Sequence, residues 1–444
     1  MLSMDGLGRK LMRGSGAVLL FKVGGALAGY GFAWQVAAAG GAAAYGRFEW
    51  AVTVLMVAAM VGRLGLDGAA VQLIAGWEAQ GLRARVAPFF RWGSGVVVAV
   101  SGAIGVAMYL ALEAPEGWGW GWAGLCLGVP LFAWTGWLAE VLRGQHRMVP
   151  FSLLQQGTVV GGAWLLFAGL PPVDLPPAEW ALFAFLAAGA LLGAGGWWAL
   201  RRQREAAADP ADPTATAAAD PGGWPGWRAA GVGDIAGPMW MSGVAFLAMS
   251  STDTLLLEAW ESDAGVGVYR LALRLAAFIT FTQFAINAMA TPMFRALHVR
   301  GDRADLQRLL GQISTTNLLL STPILLVLLL FPDPLLALFG EEFAAPEVRG
   351  LLAVLGVAQW INANCGPVLN LMNMTGLQRA ANRVILATAV LNLLLNLWWI
   401  PRWGLQGAAW ATAVSTVVWN GVSVVWIRKN LGVWTILGWA GRGR

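Results

Sequence analysis

The stretch that decides the fold is Asp253–Arg295, which reads DTLLLEAWESDAGVGVYRLALRLAAFITFTQFAINAMATPMFR. Two apolar runs meet here at a short acidic turn, Glu258–Gly265. The second run carries Arg270 and Arg274 within otherwise apolar sequence. A charge in hydrocarbon costs on the order of 3 kcal/mol or more, so these two side chains are expected to face protein, water or a ligand.

The composition of the whole chain is that of a membrane protein. Of its 444 residues 58% are hydrophobic and only 12% charged, and the mean hydropathy is +0.62. Apolar runs long enough to cross a bilayer recur from end to end, without the alternating pattern of a membrane β-barrel. The chain has two cysteines and two histidines and no cluster of His, Cys and carboxylates, so we expect neither a metal site nor a cofactor.

Hydropathy predicts an all-α polytopic protein with twelve transmembrane helices. The predicted segments are 15–38, 48–75, 88–112, 118–140, 150–170, 179–200, 233–257, 266–296, 308–331, 348–374, 382–400 and 404–427.

The distribution of positive charge predicts the orientation of these helices. Most of the 29 Lys and Arg residues fall at the termini and in alternate loops, whereas the loops on the other side hold only Arg47, Arg349 and Arg402. Positive charge marks the cytoplasmic side, so both termini of this membrane protein are expected in the cytoplasm. The net charge of +5 is thereby explained by membrane orientation, and nucleic acid is not expected as a partner.

One segment interrupts the succession of apolar runs. Residues 201–228 mix charge, Pro, Ala and Gly, a composition typical of linkers. We therefore divide the chain into a six-helix bundle (1–200), a cytoplasmic linker (201–231), a second six-helix bundle (232–430) and a cytoplasmic tail (431–444).

The two halves share short motifs in the same order. YGRF at Tyr45–Phe48 corresponds to VGVY at Val266–Tyr269, and GLRAR at Gly81–Arg85 to GDRAD at Gly301–Asp305. Six helices per half, with both halves starting on the same side, predict two bundles related by a parallel pseudo-repeat. Transporters are commonly built this way, with the substrate site between the halves.

Three stretches carry a family resemblance. They are YGRFEWAVTVL with GRLGLDGAAVQLIAGW in the first half, the Asp253–Arg295 stretch, and LNLLLNLWWIPRWGLQGAAWATAVS near the end. Together they resemble the polysaccharide transporter branch of the multidrug/oligosaccharidyl-lipid/polysaccharide exporter superfamily, which contains flippases of the O-antigen type. The resemblance covers nearly the whole chain.

This resemblance implies a transporter rather than an enzyme. The implied function is to flip an undecaprenyl-pyrophosphate-linked oligosaccharide from the cytoplasmic to the outer leaflet by alternating access, for O-antigen (lipopolysaccharide), capsule or exopolysaccharide biosynthesis. Expected partners are this lipid-linked oligosaccharide, membrane lipids, and a polysaccharide polymerase or glycosyltransferases of the same pathway. A cation-coupled multidrug exporter of the same fold is the alternative, and a membrane glycosyltransferase or ligase is the third candidate.

Four cationic residues are candidates for binding the pyrophosphate, because arginine can hold phosphate through a bidentate fork. Lys22 and Arg63 lie within the first two predicted helices, and the resemblance adds weight to cations there and in helix eight. Each also has a structural interpretation: Lys22 reaching the interface, and Arg63 pairing with Asp67 four residues on.

Arg270 and Arg274 share one face of helix eight. Either they form a structural ion pair with Asp253, or one carboxylate leaves a spare positive charge that attracts an anionic headgroup. Asp253 and Asp67 are the candidates for binding a coupling proton or sodium ion.

Helix ten carries an amide stripe at helical spacing: Gln359, Asn362, Asn370 and Asn373, with Pro367 interrupting the backbone beside it. Amides both donate and accept hydrogen bonds, which suits sugar hydroxyls. The other interpretation is polar contact between helices. A shorter polar stripe follows on helix eleven: Thr388, Asn392 and Asn396. Helix eight carries two further amides, Gln283 and Asn287.

Overall fold

The computed structural model describes residues 4–115, 117–170, 174–207, 226 and 231–436. Its regular elements in these ranges are all helical. The α-helices are α1 (Met4–Gly62), α2 (Leu66–Ala79), α3 (Val86–Ala111), α4 (Trp120–Gly144), α5 (Met148–Leu153), α6 (Gln156–Gly169), α7 (Pro177–Ala207), α8 (Val232–Trp260), α9 (Asp263–Arg300), α10 (Arg303–Leu330), α11 (Pro332–Ala337), α12 (Pro346–Asn364), α13 (Val368–Met374) and α14 (Gln378–Leu431). Short 3₁₀ turns lie at Arg83–Arg85 and Glu341–Ala344.

Nine helices within the described ranges are long and apolar enough to cross a membrane. Two of them, α1 and α14, each join two predicted helices. Each passes through glycines whose backbone angles are not helical, Gly40 and Gly41 in α1 and Gly404 in α14. The prediction of an all-α polytopic membrane protein is confirmed.

Three predicted helices are interrupted; one of them, 150–170, is divided between α5 and α6. The predicted helix 48–75 breaks after Gly62, where Leu64 and Gly65 have φ values of 51° and 72°. The predicted helix 348–374 breaks between α12 and α13, where Gly366 has a φ of 80° and Pro367 has no N–H to continue the helical hydrogen bonds. Each of these two predicted helices is one apolar run in a hydropathy profile, so hydropathy alone cannot locate the break.

The chain divides into two compact units, and helices α1 and α8 contribute to both. Unit 1 comprises Met1–Ala39 and Ala51–Val244, and unit 2 comprises Gly40–Trp50 and Ala245–Arg444. Residues 208–225 and 227–230, most of the predicted linker, lie outside the described residues.

The core of unit 1 is aromatic. Trp137 of α4 is fully buried and its ring lies 5.4 Å from that of Phe89 on α3. Gly93 of α3 makes room for it, because a Cβ there would lie 2.3 Å from the Trp137 ring. The first part of α1 meets α6 equally closely: a Cβ on Gly25 would lie 2.7 Å from the backbone of Gly157.

Unit 2 is built from the Gly40–Trp50 segment, the end of α8 and helices α9 to α14, and the residues after α14 pack back into it. Thr435 is 1% exposed, and its carbonyl accepts a 2.5 Å hydrogen bond from Ser314 of α10. The side chain of Gln307 exchanges two hydrogen bonds with the backbone of Trp434. The final described residues are thereby part of the helical core.

Candidate functional site

Three charged side chains of unit 2 form a cluster between the Gly40–Trp50 segment and helix α9. One oxygen of Glu49, Oε2, accepts hydrogen bonds from Nε and Nη2 of Arg270 at 2.9 and 2.6 Å. The other oxygen, Oε1, accepts a 2.5 Å hydrogen bond from Nη2 of Arg274. The Glu49 side chain is 3% exposed, whereas those of Arg270 and Arg274 are 22% and 26% exposed. We call these three residues the arginine clamp.

The predicted ion pair between the two arginines and Asp253 is wrong, because Glu49 occupies that role. Asp253 is 2% exposed, and its oxygens accept hydrogen bonds from the Tyr269 hydroxyl at 2.5 Å and the Thr254 N–H at 2.7 Å. Asp253 still lies within electrostatic range of Arg270. With both acids ionised, these two arginines and two carboxylates sum to zero charge, so the expected spare positive charge is compensated.

The Gly40–Trp50 segment is held to the rest of unit 2 by further contacts. Where the α1 helix resumes after its break, the N–H of Ala42 donates to Oε1 of Glu342 at 2.7 Å. Arg47 pairs with Asp263 at the start of α9 at 2.5 Å. The backbones also approach closely, since a Cβ on Gly46 would lie 1.8 Å from the Asp263 carbonyl oxygen.

A second charged group lies in unit 1, at the break between α1 and α2. Nε of Arg63 lies 3.3 Å from Oδ2 of Asp67, which is the predicted i,i+4 pair. The Arg63 guanidinium lies against α4, because a Cβ on Gly136 would be 2.0 Å from its Nη1. Glu140, one turn further along α4, pairs with Arg143 at 2.7 Å. The remaining predicted cation, Lys22, has its side chain outside the described residues.

A cavity of about 480 Å³ lies in unit 2 beside the break between α12 and α13. That volume is within the range of roughly 300–1,000 Å³ typical of small-molecule sites. Its lining combines amides, one hydroxyl and two aromatic rings: Gln283, Asn287, Thr291, Asn362, Asn370, Phe246 and Trp419, with Gly366, Pro367, Val368 and Leu369 at the helix break. Every one of these lining residues is uncharged.

Only part of the amide stripe predicted on helix ten lines this cavity. Asn362 and Asn370 line the cavity, whereas Gln359 accepts a hydrogen bond from the Asn362 amide at 3.3 Å. The carbonyl of Asn373 accepts a 2.8 Å hydrogen bond from Gln378, and its side chain is not among the lining groups. The Asn362 oxygen also accepts a 2.9 Å hydrogen bond from Asn420 of α14, so helix contact and cavity lining coexist in one residue.

The shorter polar stripe predicted on helix eleven lies in the observed helix α14 and does not line this cavity. Thr388, Asn392 and Asn396 are 3%, 1% and 0% exposed. Asn392 donates to the Ser415 hydroxyl at 3.3 Å, and Asn396 donates to the side-chain oxygen of Asn392 at 3.0 Å. The Asn392–Ser415 hydrogen bond joins the two halves of α14 across its break at Gly404.

Two residues of these sites were missed by sequence reasoning. Glu49 stands in the motif YGRFEWAV, and an acid inside an apolar run was the available signal that it pairs with a buried cation. Trp419 is one of 26 tryptophans in the chain, and its place in the cavity has no sequence signal that separates it from the others.

Comparison with known proteins gives a match to one family over part of the chain. Residues 238–398, which contain α9 to α13 and all of the cavity lining except Trp419, match the family model described as MatE. The chain is 29% identical over 168 residues to the probable low-salt glycan biosynthesis flippase Agl15 of Haloferax volcanii, a match that covers 37% of this chain and 35% of that protein. The chain thus spans about a third of the length of the curated relatives it matches.

Solved structures resemble the chain over nearly its full length. An inward-facing multidrug resistance MATE family transporter of the MOP superfamily aligns with a TM-score of 0.65 and 12% identity, covering 90% of this chain and 94% of that one. The lipid II flippase MurJ in an inward closed conformation aligns with a TM-score of 0.64 and 12% identity, covering 94% and 87%. These likenesses show the twelve-helix, two-bundle fold of the MATE transporters.

Proposed function

We propose that this protein is a flippase that moves a lipid-linked oligosaccharide from the cytoplasmic to the outer leaflet of a membrane by alternating access. In a bacterial inner membrane the lipid would be undecaprenyl pyrophosphate, and the product would serve O-antigen, capsule or exopolysaccharide synthesis. The proposal includes the predicted cytoplasmic position of both termini.

The amide-lined cavity of unit 2 carries this proposal. Gln283, Asn287, Asn362 and Asn370 offer both donors and acceptors, and sugar hydroxyls need both. The ring of Trp419 adds a flat apolar surface, which suits the apolar face of a sugar ring. A neutral oligosaccharide is therefore a better match to this lining than a cationic drug, which would require an acid there.

The names of two similar proteins point the same way. Agl15 is described as a probable glycan biosynthesis flippase and MurJ as a lipid II flippase. The first description names glycan biosynthesis, and the second names a lipid as what is moved. A multidrug exporter remains the second candidate because transporters with that description share the fold.

The cations and acids named from the sequence have distinct places in this proposal. Arg270 and Arg274 would face the anionic pyrophosphate, as would Arg63 and Lys22 at the other unit. Asp253 would bind the coupling proton or sodium ion, because it is buried and surrounded by hydroxyl groups of Tyr269 and Thr412. Asp67 is the weaker coupling candidate, since its carboxylate is paired with Arg63.

Reconstituted vesicles test the proposal directly. Purified protein would be inserted into vesicles with a fluorescent undecaprenyl-pyrophosphate oligosaccharide, and exposure of the sugar to an added lectin would report translocation. We expect transport by the unaltered protein and a loss of at least tenfold when Asn362 and Asn370 are both replaced by alanine. Asn382→Ala, an exposed amide on α14, is the matched control and should transport normally.

The same vesicles separate the two candidate functions. Loading them with ethidium in place of the lipid-linked sugar measures export of a cationic drug. Ethidium export without sugar translocation would overturn the flippase proposal in favour of the multidrug exporter.

A further inference from the structure

The arginine clamp has the chemistry of an anion site that is already occupied. Arg270 presents Nε and Nη2 to a single oxygen, and Arg274 contacts the second oxygen of the same carboxylate. A phosphate group offers oxygens of the same kind, and guanidinium groups bind both anions through the same N–H geometry. Glu49 therefore takes the positions that a substrate phosphate would need.

The three side chains differ in burial. Glu49 is almost fully buried, whereas about a quarter of each arginine side chain is exposed. Both arginines are therefore more accessible than the carboxylate that they hold.

The charge balance decides whether such an anion can bind beside Glu49. With Glu49 ionised and no proton on Asp253, the charges of Arg270, Arg274, Glu49 and Asp253 sum to zero, so another anion added to the intact cluster would lack a compensating charge. Uncompensated charge is costly in a site of low dielectric. Binding becomes favourable when Glu49 withdraws, because the cluster then carries one net positive charge.

We propose that Glu49 is an internal counter-anion that the pyrophosphate of the substrate displaces, and that this exchange releases the Gly40–Trp50 segment from unit 2. The proposal rests on the proposed function for the identity of the anion as a lipid-linked pyrophosphate. The chemistry it uses is the exchange of one anion for another on two arginines.

Release of the segment follows from how it is attached. Its contacts with the rest of unit 2 include the clamp, the Arg47–Asp263 pair and the Glu342 hydrogen bond to Ala42. Helix α1 continues from residue 50 in unit 2 to residue 51 in unit 1 without non-helical angles there. Loss of the clamp would remove one of these attachments, so the segment would be held less firmly to the rest of unit 2.

Binding of inorganic pyrophosphate to the purified protein tests the exchange. Isothermal titration would compare the unaltered chain with Glu49→Gln, which keeps the shape of the side chain and removes its charge. We expect Glu49→Gln to bind pyrophosphate roughly tenfold more tightly or better. Asp333→Asn removes the acid from another arginine pair of unit 2, Arg349–Asp333, and should leave the affinity unchanged.

Two results of that titration would overturn the proposal. One is a Glu49→Gln affinity equal to that of the unaltered protein, and the other is absence of pyrophosphate binding to both. An equal gain in the Asp333→Asn control would also overturn it, because the effect would then follow net charge alone.

Hydrogen–deuterium exchange of the unaltered protein tests release without any substitution. Pyrophosphate should raise amide exchange in the peptide covering residues 40–50, and slower exchange there would contradict the proposal. Asp263→Asn should raise the same exchange without tightening pyrophosphate binding, because it loosens the segment and leaves the clamp intact.

The two proposals fail in different ways. If Glu49→Gln tightens pyrophosphate binding but no lipid-linked sugar is translocated in vesicles, the counter-anion role stands and the flippase function falls. If sugar is translocated while the Glu49 substitution changes neither pyrophosphate binding nor amide exchange, the flippase function stands and the counter-anion role falls.

Discussion

Oε1 of Glu342 accepts a 2.7 Å hydrogen bond from the N–H of Ala42, 300 residues away in the sequence. Ala42 follows Gly41, whose φ of 73° ends the first part of α1, so the helix begins afresh with N–H groups that lack partners inside it. Glu342 therefore caps this helix from a distant part of the chain. Because Ala42 belongs to the same unit as Glu342, the cap also holds the Gly40–Trp50 segment in place.

Removing this cap should lower stability by a measurable amount. Glu342→Ala is expected to cost about 1 kcal/mol of unfolding free energy, which is typical of a lost helix cap. Glu342→Gln should cost less, because its amide oxygen can still accept the Ala42 N–H. Thermal unfolding in detergent, followed by tryptophan fluorescence, measures both. Glu341→Ala changes the exposed neighbouring acid and should have no effect, so an equal loss there would refute the capping role.

Added side chains where the Gly40–Trp50 segment crosses α9 should be poorly tolerated. A Cβ on Gly267 would lie 2.1 Å from the Ala42 carbonyl oxygen, and one on Gly46 would lie 1.8 Å from that of Asp263. Gly46→Ala and Gly267→Ala are each expected to lower the melting temperature strongly, because backbone atoms cannot move aside as side chains can. The yield of monodisperse protein and its melting temperature report the effect.

Gly311→Ala is the matched control for these glycine substitutions. Gly311 lies inside helix α10 and a Cβ there meets nothing within 4 Å. Alanine is the better helix former by roughly 0.5–1 kcal/mol, so this variant should be slightly stabilised. Destabilisation of all three variants alike would argue against close packing as the cause.

The Arg47–Asp263 pair should contribute more to stability than a surface pair of the same length. Its side chains are 31% and 23% exposed, against 75% and 45% for Arg308–Asp305, and both pairs have a 2.5 Å contact. A double-mutant cycle should give a coupling energy of about 1 kcal/mol for the first and only a few tenths for the second. Equal coupling energies would show that burial does not strengthen this pair.

The position of Arg63 can be altered without changing Arg63 itself. Gly136→Ala places a methyl group where the guanidinium lies, so the arginine must move while its charge remains. If Arg63 binds substrate, sugar translocation in vesicles should fall by an order of magnitude or more, as misplaced binding groups often cause. Gly95→Ala on α3, which meets nothing within 4 Å, is the control. Normal translocation by Gly136→Ala would remove Arg63 from the substrate path.

The sequence predicts the helical architecture well, because hydropathy reports directly on which segments enter the membrane. Hydropathy does not place the breaks at Leu64 and Gly366, since a left-handed residue leaves the mean hydropathy of an apolar run unchanged. Another sequence signal marks the second of these breaks: Pro367 follows Gly366, and a residue without an N–H marks its own helix end.

The sequence likewise predicts only part of the candidate sites. The i,i+4 spacing of Arg270 and Arg274 predicts that they act on a common partner, and both contact one carboxylate. Periodicity acts only within a helix, so it cannot identify that partner as Glu49, 221 positions from Arg270. For the same reason the spacing of Asn362 and Asn370 predicts a shared face, whereas Trp419 enters the cavity from another helix.

The burial of Thr435 has a practical consequence for fluorescent or affinity fusions. A tag joined directly after Leu431 would replace residues whose backbone is bonded to Gln307 and Ser314, and would expose the apolar surface they cover. Fusions at the far end of the chain keep these contacts. A reporter attached there should therefore preserve expression and monodispersity, while one attached at Leu431 should yield aggregated protein.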